Sequence, residues 1–436
     1  MFDQDYQIQQ KDNVVLVSVT CPSLEKLSNQ NKSRTSINEL KDLIKTLNLN
    51  YSGEFIQNRN HLDPGSIVGT GKLEEIKQYS KDNHVNLLIF DLELTAGQIR
   101  KIKKVTGLDV IDRCHVILEI FARHARTRES KIQIEISRLE YLLPRLSGYW
   151  THLSRQRGGV GVRGGEGEQQ IELDRRIIRK RITQLKEELK EVVNSREQQG
   201  KKRRGSVLSA ALIGYTNVGK SSLMNRLCQG NVLEEDKLFA TLDSTFRTLS
   251  PNTKPPLVLI DTVGFLNNLP NTLIDGFKTT LDSAQEADLL IIVCDVSNPD
   301  WEEQLKVTFE VMEKLEISKK EKIIVFNKID LVDDKLRLKV IKRAHQNSYL
   351  VSALQPEKVV SLKEAIIDKI LDKLDHFDVF IPYELGNLHS NILKQTNIVK
   401  TANHDHGIFY RIRTPKFVFN QLGVEKFLLG PDHNYH

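Results

Sequence analysis

The chain is poor in cysteine: Cys21, Cys114, Cys228 and Cys294 are scattered through 436 residues with no C-x-x-C pair and no metal-ligand spacing. That excludes a disulfide-stapled scaffold and argues against a structural zinc; reduced core thiols in a cytosolic protein are expected. Long apolar runs are missing as well, and none approaches the ~20 residues that a membrane-spanning helix needs. The first residues, Met1 to Asp5, are acidic and polar, unlike a secretory leader. His404, His406, His433 and His436 read as surface residues rather than a metal site. Nor is charge of one sign in great excess: the net charge is +6, and basic function must come from local clusters rather than the total. With 39% hydrophobic and 28% charged residues the composition is that of a soluble protein, and 436 residues give room for two or three domains. The expected setting is the cytoplasm, with peripheral membrane contact through a basic stretch as the remaining membrane role.

What is present is more specific. Gly214-Tyr215-Thr216-Asn217-Val218-Gly219-Lys220-Ser221 reads G-x-x-x-x-G-K-S. The strand-like run Val207 to Ile213 precedes it and the helix opening Ser222 to Leu227 follows, which is the context a phosphate-cradling loop requires. Glycines let backbone N–H groups turn in on phosphates, and the helix N-terminus adds a favourable dipole. Lys220 is then expected to reach the β- and γ-phosphates of a nucleotide, and the Ser221 hydroxyl to hold Mg²⁺.

Downstream residues select the base. Asn327-Lys328-Ile329-Asp330 ends the hydrophobic strand Ile323 to Phe326, at the strand edge where open α/β sheets place ligand-reading groups. Guanine presents N1–H and an exocyclic amino group side by side; Asp330 can accept both, and adenine has no such pair. Asn327 is expected to bond the base and neighbouring loops, the Lys328 stem to cover the ring, and Val351-Ser352-Ala353-Leu354 to offer backbone N–H groups to the guanine carbonyl. Between these lies Leu257 to Phe265, a strand ending in Asp261-Thr262-Val263-Gly264. Asp261 is placed behind Mg²⁺ through a water, and the Gly264 N–H on the γ-phosphate. Phe239-Ala240-Thr241-Leu242-Asp243 occupies the first-switch position, with Thr241 as the second protein ligand to Mg²⁺. The motifs in this order over residues 214–353 predict a GTP-hydrolysing domain, with Lys220, Asn217 and Gly264 as its catalytic candidates.

Ras-type GTPases carry a water-orienting Gln after D-x-x-G. Phe265 stands there and cannot hydrogen-bond a water, so slow intrinsic turnover is expected. Asn217 is open to two readings: a ligand for a K⁺ ion that substitutes for an arginine finger, or a cap for the turn.

The combination G-Y-T-N-V-G-K-S, F-A-T-L-D, D-T-V-G-F and N-K-I-D resembles the HflX family of GTPases. So do Gly69 to Ile76, Asp112-Arg113, Ala125 to Glu129, Leu139 to Leu146 and Glu172 to Arg176 in the N-terminal half. The likeness spans roughly residues 15–355. Ser244 stands where family members commonly have proline, and Gly164 to Glu168 replaces the usual Gly-Pro-Gly-Glu with one residue more. Neither departure touches a phosphate or Mg²⁺ ligand; both bear on partner contacts. The resemblance implies a factor that binds the large ribosomal subunit and its RNA, dissociates stalled or idle ribosomes, and is a monomer when free. A K⁺-stimulated GTPase acting in RNA modification or remodelling is the alternative.

The expected fold is α/β throughout. Residues 1–125 form a small, mostly parallel α/β domain, and 126–204 a helical hairpin with a Gly/Arg-rich tip and basic linker. Residues 205–375 form a doubly wound nucleotide-binding domain and 376–436 a small α/β domain. Ile132, Ile136, Leu139 and Leu143 on one helix, and Ile178, Ile182, Leu185, Leu189 and Val192 on the next, space as a coiled-coil seam. Arg155, Arg157 and Arg163 at the tip, with Arg175 and Arg176 on the second helix, are candidate RNA contacts, since guanidinium groups neutralise phosphates and stack on unpaired bases.

Overall fold

The computed structural model describes residues 12–21, 32–146, 165–203, 207–228, 239, 245–266 and 283–429. The chain divides into two compact units, one built mainly on residues 1–193 and the other mainly on those that follow.

The first unit opens on four parallel strands, β1 (Asn13–Thr20), β2 (Asn50–Asn58), β3 (Leu87–Phe90) and β4 (Asp109–Asp112), in the order β2-β1-β3-β4. β1 and β3 are near-continuous apolar runs because helices cover both faces of a parallel sheet. One covered face gathers Val15, Val17, Leu88 and Phe90 against Leu73, Ile76, Ile99 and Ile102. Helix α1 (Lys32–Thr46) links β1 to β2, α2 (Thr70–Asp82) links β2 to β3, and α3 (Ala96–Thr106) links β3 to β4. α3 begins with a Thr95–Gln98 capping box and ends on Gly107 at φ 76°, a left-handed turn that glycine adopts without strain.

α4 (Arg113–His124) and α5 (Arg128–Leu142) follow, and a 3₁₀ turn, Leu143–Arg145, closes α5. α5 pairs with the 39-residue α6 (Gly165–Arg203). Ile132, Ile136, Leu139 and Leu146 pack on Ile178, Ile182 and Leu185, with Leu143, Leu189 and Val192 at the margin, so the expected seam is the observed one. Arg181–Glu135 at 2.8 Å, Lys186–Glu140 at 2.7 Å and Arg128–Glu188 at 2.6 Å flank it. α6 runs well beyond the Ile178 to Val192 stripe at each end. Its start takes in Gly165 and Gly167, and its end takes in Lys201 to Arg203. The flanks are mostly Glu, Gln, Lys and Arg, good helix formers that carry a seeded helix onward.

Asp112 fastens the hairpin to the sheet. Fully buried, it accepts hydrogen bonds from the Leu94 and His115 backbone N–H groups (3.0 Å each) and from the Tyr141 hydroxyl (2.9 Å). Arg145 completes the cluster at 3.4 Å, its guanidinium stacked 3.8 Å from the Tyr141 ring centroid. Asp112→Ala takes the nearer carboxylate from buried Arg145, leaving it Glu93 at 3.8 Å, and strips the Leu94 and His115 amides and the Tyr141 hydroxyl of their acceptor. It is expected to cost about 3–5 kcal/mol, read as a lower urea midpoint. A loss below about 1 kcal/mol would show that Asp112 is not the anchor.

The second unit is a six-stranded sheet in the order β10-β9-β8-β5-β7-β6. Its strands are β5 (Leu208–Gly214), β6 (Thr245–Ser250), β7 (Leu257–Asp261), β8 (Leu289–Asp295), β9 (Lys322–Asn327) and β10 (Ser348–Leu350). All pair in parallel except β6, antiparallel at the edge. α7 (Lys220–Leu227) follows β5, α8 (Trp301–Lys314) joins β8 to β9, α9 (Lys335–Ala344) joins β9 to β10, and α10 (Pro356–Leu371) follows β10. An antiparallel sheet, β11 (Asp375–Pro382), β13 (Gly407–Thr414) and β12 (Asn397–His404), carries α11 (Gly386–Gln395) and α12 (Lys416–Leu422) over its core. Asn397 ties it to the β6–β7 turn by accepting from the Lys254 N–H at 2.9 Å.

Candidate functional site

β5 lies between β7 and β8, where successive strands are added on opposite sides, and the crevice beyond the strand ends at such a point is where open α/β sheets bind ligands. Residues 214–221 leave β5 there. Gly214 is required by close approach: a Cβ on it would stand 2.2 Å from the Val293 carbonyl oxygen of β8. Gly219 sits at φ 86°, and a Cβ there would lie 2.4 Å from Asn327 Nδ2. The loop is held from outside by the other motifs. Asn327 Nδ2 donates to the Val218 carbonyl at 2.9 Å, and Lys328 Nζ donates to the Asn217 carbonyl at 2.8 Å. Thr216 N–H and Phe265 N–H bond across to Phe265 O and Gly214 O at 2.8 and 3.0 Å.

Lys220 opens α7 with its side chain buried. Its Nζ donates to the carbonyls of Tyr215 (2.7 Å) and Gly214 (3.2 Å). Burial lowers its pKa to about 8, against the weaker upward pull of Asp261. The Ser221 hydroxyl donates to Asp261 Oδ2 at 2.8 Å, which brings two oxygen donors from α7 and β7 together. Thr262, fully buried, donates to the Leu212 carbonyl at 2.6 Å and locks the end of β7 against β5. Gly264 passes so close that a Cβ would meet Thr216 Cα at 2.8 Å and Lys220 Nζ at 2.9 Å. Val263 and Phe265 on either side of it are buried, Phe265 only 2% exposed.

At the other end of the crevice, Lys328 adopts φ 60° and turns the chain into the 3₁₀ segment Ile329–Leu331, leaving Asp330 exposed. Val351 N–H bonds to Phe326 O at 2.9 Å and holds Ser352 and Ala353 beside that turn. Buried Ser352 turns the loop by accepting from the Leu354 N–H at 3.1 Å. Asn327, expected to face the base as well as its neighbours, has its amide N–H committed to the phosphate loop. Asp295 escaped the sequence reading. It pairs with Lys328 Nζ at 2.7 Å, fixing the residue expected to cover the ring. A carboxylate closing the apolar run Leu289 to Cys294 was the available signal.

Asn217 takes φ 58°, a left-handed conformation that Asn tolerates better than most residues. Of the expected first switch, Phe239 is buried with its ring edge-on to Phe121 at 4.5 Å. Ala240, Thr241, Leu242 and Asp243 lie outside the described residues, as do Arg155, Arg157 and Arg163. Arg175 is partly neutralised by Glu172 at 3.6 Å, whereas Arg176 is exposed. Among the described residues no helix is long and apolar enough to cross a membrane.

Three family models match in succession: "GTP-binding GTPase N-terminal" over residues 34–122, "GTP-binding GTPase Middle Region" over 124–203, and "50S ribosome-binding GTPase" over 209–328. GTPase HflX of Flavobacterium psychrophilum is 44% identical over 305 residues, 69% of this chain and 73% of that protein. GTPase HflX of Escherichia coli (strain K12) is 34% identical over 389 residues, 88% and 91% of the two chains. Among solved structures, SsGBP in complex with GDP aligns with a TM-score of 0.50 at 24% identity, covering 83% of this chain and 99% of that one, a likeness of fold.

Proposed function

We propose that this chain, which belongs to the HflX family of GTPases, is a ribosome-associated factor that binds the large subunit and dissociates stalled or idle ribosomes in the cytoplasm. It binds guanine nucleotide and hydrolyses GTP to GDP and phosphate. The observation that carries the site assignment is the convergence of Lys220, Ser221, Asp261 and Gly264 at the end of β5, with Ser221 Oγ 2.8 Å from Asp261 Oδ2.

Lys220 is assigned to the β- and γ-phosphates, beside the backbone N–H groups of residues 214–221. Gly264 presents its N–H to the γ-phosphate, and Asp330 reads the two donors of guanine, with Ser352 and Ala353 N–H groups on its carbonyl oxygen. Ser221 and Asp261, with Thr241, are hard oxygen donors of the kind that suits Mg²⁺. Mg²⁺ bound there would neutralise phosphate charge.

The buried Phe265 leaves the attacking water without a side chain to orient it, so the stimulus to hydrolysis comes from outside the described site. The ribosome is the proposed source. Affinity for RNA is assigned to the hairpin, through Arg155, Arg157 and Arg163 with Arg175 and Arg176, because neutralising phosphates supplies most sequence-independent RNA affinity. GTP turnover measured with and without large subunits, in K⁺ and in Na⁺ buffers, tests the reading. Subunits are expected to raise the rate at least about tenfold, in the manner of stimulated GTPases. Equal rates with and without subunits would remove the ribosome, and a response to K⁺ alone would move the assignment to Asn217 and to RNA modification or remodelling.

A further inference from the structure

The right-handed crossovers α8 and α9 connect β8, β9 and β10, which are neighbours in one parallel sheet, and so lie on the same face of it. That face is divided by charge. α8 borders an open groove of about 430 Å³, lined by Trp301, Leu305, Phe309 and His345, whose ring lies 6.2 Å from that of Trp301. The groove's rim is acidic through Glu302, Glu310 and Glu313, against the single cation Lys306. α9 is the opposite. It has five cations and no acid in ten residues. Its exposed side carries two adjacent ridges at four-residue spacing, Lys335-Lys339-Arg343 and Leu336-Val340. Leu336 and Val340, one turn apart, are 70% and 64% exposed. Among the described residues, Glu310 and Glu313 on α8 and Lys339 and Arg343 on α9 make no ion pair.

We infer that this face is a self-association surface, with the α9 ridges of one copy seated in the α8 groove of a second and the reverse contact made across a two-fold axis. A two-fold interface must be complementary to itself, and an acidic apolar groove beside a basic apolar ridge is. RNA or an anionic lipid surface would use the cations, but the carboxylates of α8 on the same face would repel either. Leu336 and Val340 also contribute nothing to phosphate contacts. Two helix faces offer roughly 400 Å² per copy, at the low end for specific association, so the dimer is weak and the protein is a monomer when dilute.

Sedimentation of the full chain at low salt, at concentrations up to about 500 μM, is the test, because screening weakens exposed charge contacts. The wild type is expected to self-associate. Lys339→Glu with Arg343→Glu, or Glu310→Lys with Glu313→Lys, should each weaken association at least about tenfold, since like charges then meet. An equimolar mixture of the two variants should restore it, which a folding defect could not do. Leu336→Gln with Val340→Gln should weaken it without altering net charge. A monomeric wild type over this range overturns the proposal, as does a dimer indifferent to all of these variants. Should the wild type instead float with anionic vesicles or retain single-stranded RNA through Lys339 and Arg343 without self-associating, the ridge faces that partner and the proposal is wrong.

Discussion

Lys220→Ala is expected to lower GTP and GDP affinity by about 100- to 1,000-fold and to bring turnover below detection, because it removes the charge-assisted hydrogen bonds, about 1.5–3 kcal/mol each, that the ammonium would make to the β- and γ-phosphates, and with them the cation that would face the charge developing on hydrolysis. The proposal rests on where the side chain sits. Its Nζ is buried and held to the Tyr215 and Gly214 carbonyls at 2.7 and 3.2 Å, inside the loop that would wrap the phosphates. Burial has also lowered its pKa to about 8. The sign of the pH effect follows. Below pH 8 the amine is already protonated, and nucleotide binding requires no proton. Above it the free protein has lost the proton, whereas bound phosphates favour the ammonium, so binding must take one up. Affinity should therefore be flat below about pH 8 and fall by up to tenfold per unit above it. Calorimetric titrations between pH 7 and 9.5 check this, and Lys220→Ala should abolish the slope along with most of the binding. A variant that binds GDP within a few-fold of the wild type would move the phosphate cradle elsewhere.

The strand, loop and helix around residues 214–221 were legible because their signal is local. Residues 214–221 have their meaning in eight consecutive positions, and the apolar runs before and after declare strand and helix without tertiary information. The hairpin seam was legible for the same reason, since Ile178, Ile182 and Leu185 fall on one stripe by spacing alone. What failed to show were relations between distant segments. Asn327 reaches the Val218 carbonyl across 109 positions, and Lys328 Nζ bridges Asn217 and Asp295. No periodicity announces either contact. β2 does not announce itself, because Asn50–Asn58 is a half-exposed edge strand whose inward residues, Gly53, Phe55 and Gln57, form no apolar series. The anchoring role of Asp112 was hidden in another way. An Asp–Arg pair at a strand end could equally be catalytic, and only the positions of Tyr141 and Arg145 reveal a buried structural hub.

Asp330→Asn should change which base the protein accepts rather than whether it folds. The exposed Asp330 carboxylate can accept two hydrogen bonds at once, from guanine N1–H and the 2-amino group. An asparagine keeps one acceptor and turns the other into a donor, so its Nδ2 opposes the guanine amino group donor to donor. A site built for a hydrogen bond rejects the mismatched partner steeply, and GTP affinity should drop by about 100-fold or more. Xanthine carries a carbonyl oxygen where guanine carries the amino group, and the introduced side-chain amide would satisfy both N1–H and that oxygen. The variant should therefore bind XTP better than GTP, reversing the wild-type order, while ITP, which lacks the amino group, binds the wild type more weakly than GTP. Competition by the three nucleotides against one fluorescent guanine nucleotide for the wild type, and one fluorescent xanthine nucleotide for the variant, measures all of this. Gain of XTP binding cannot arise from misfolding, so it separates recognition from stability. The turn that presents the side chain depends on Lys328 at φ 60° and on Asn327 clamped to Val218, and neither contact involves the Asp330 carboxylate. An unchanged preference for GTP over XTP in Asp330→Asn would mean that the base is read elsewhere in the crevice.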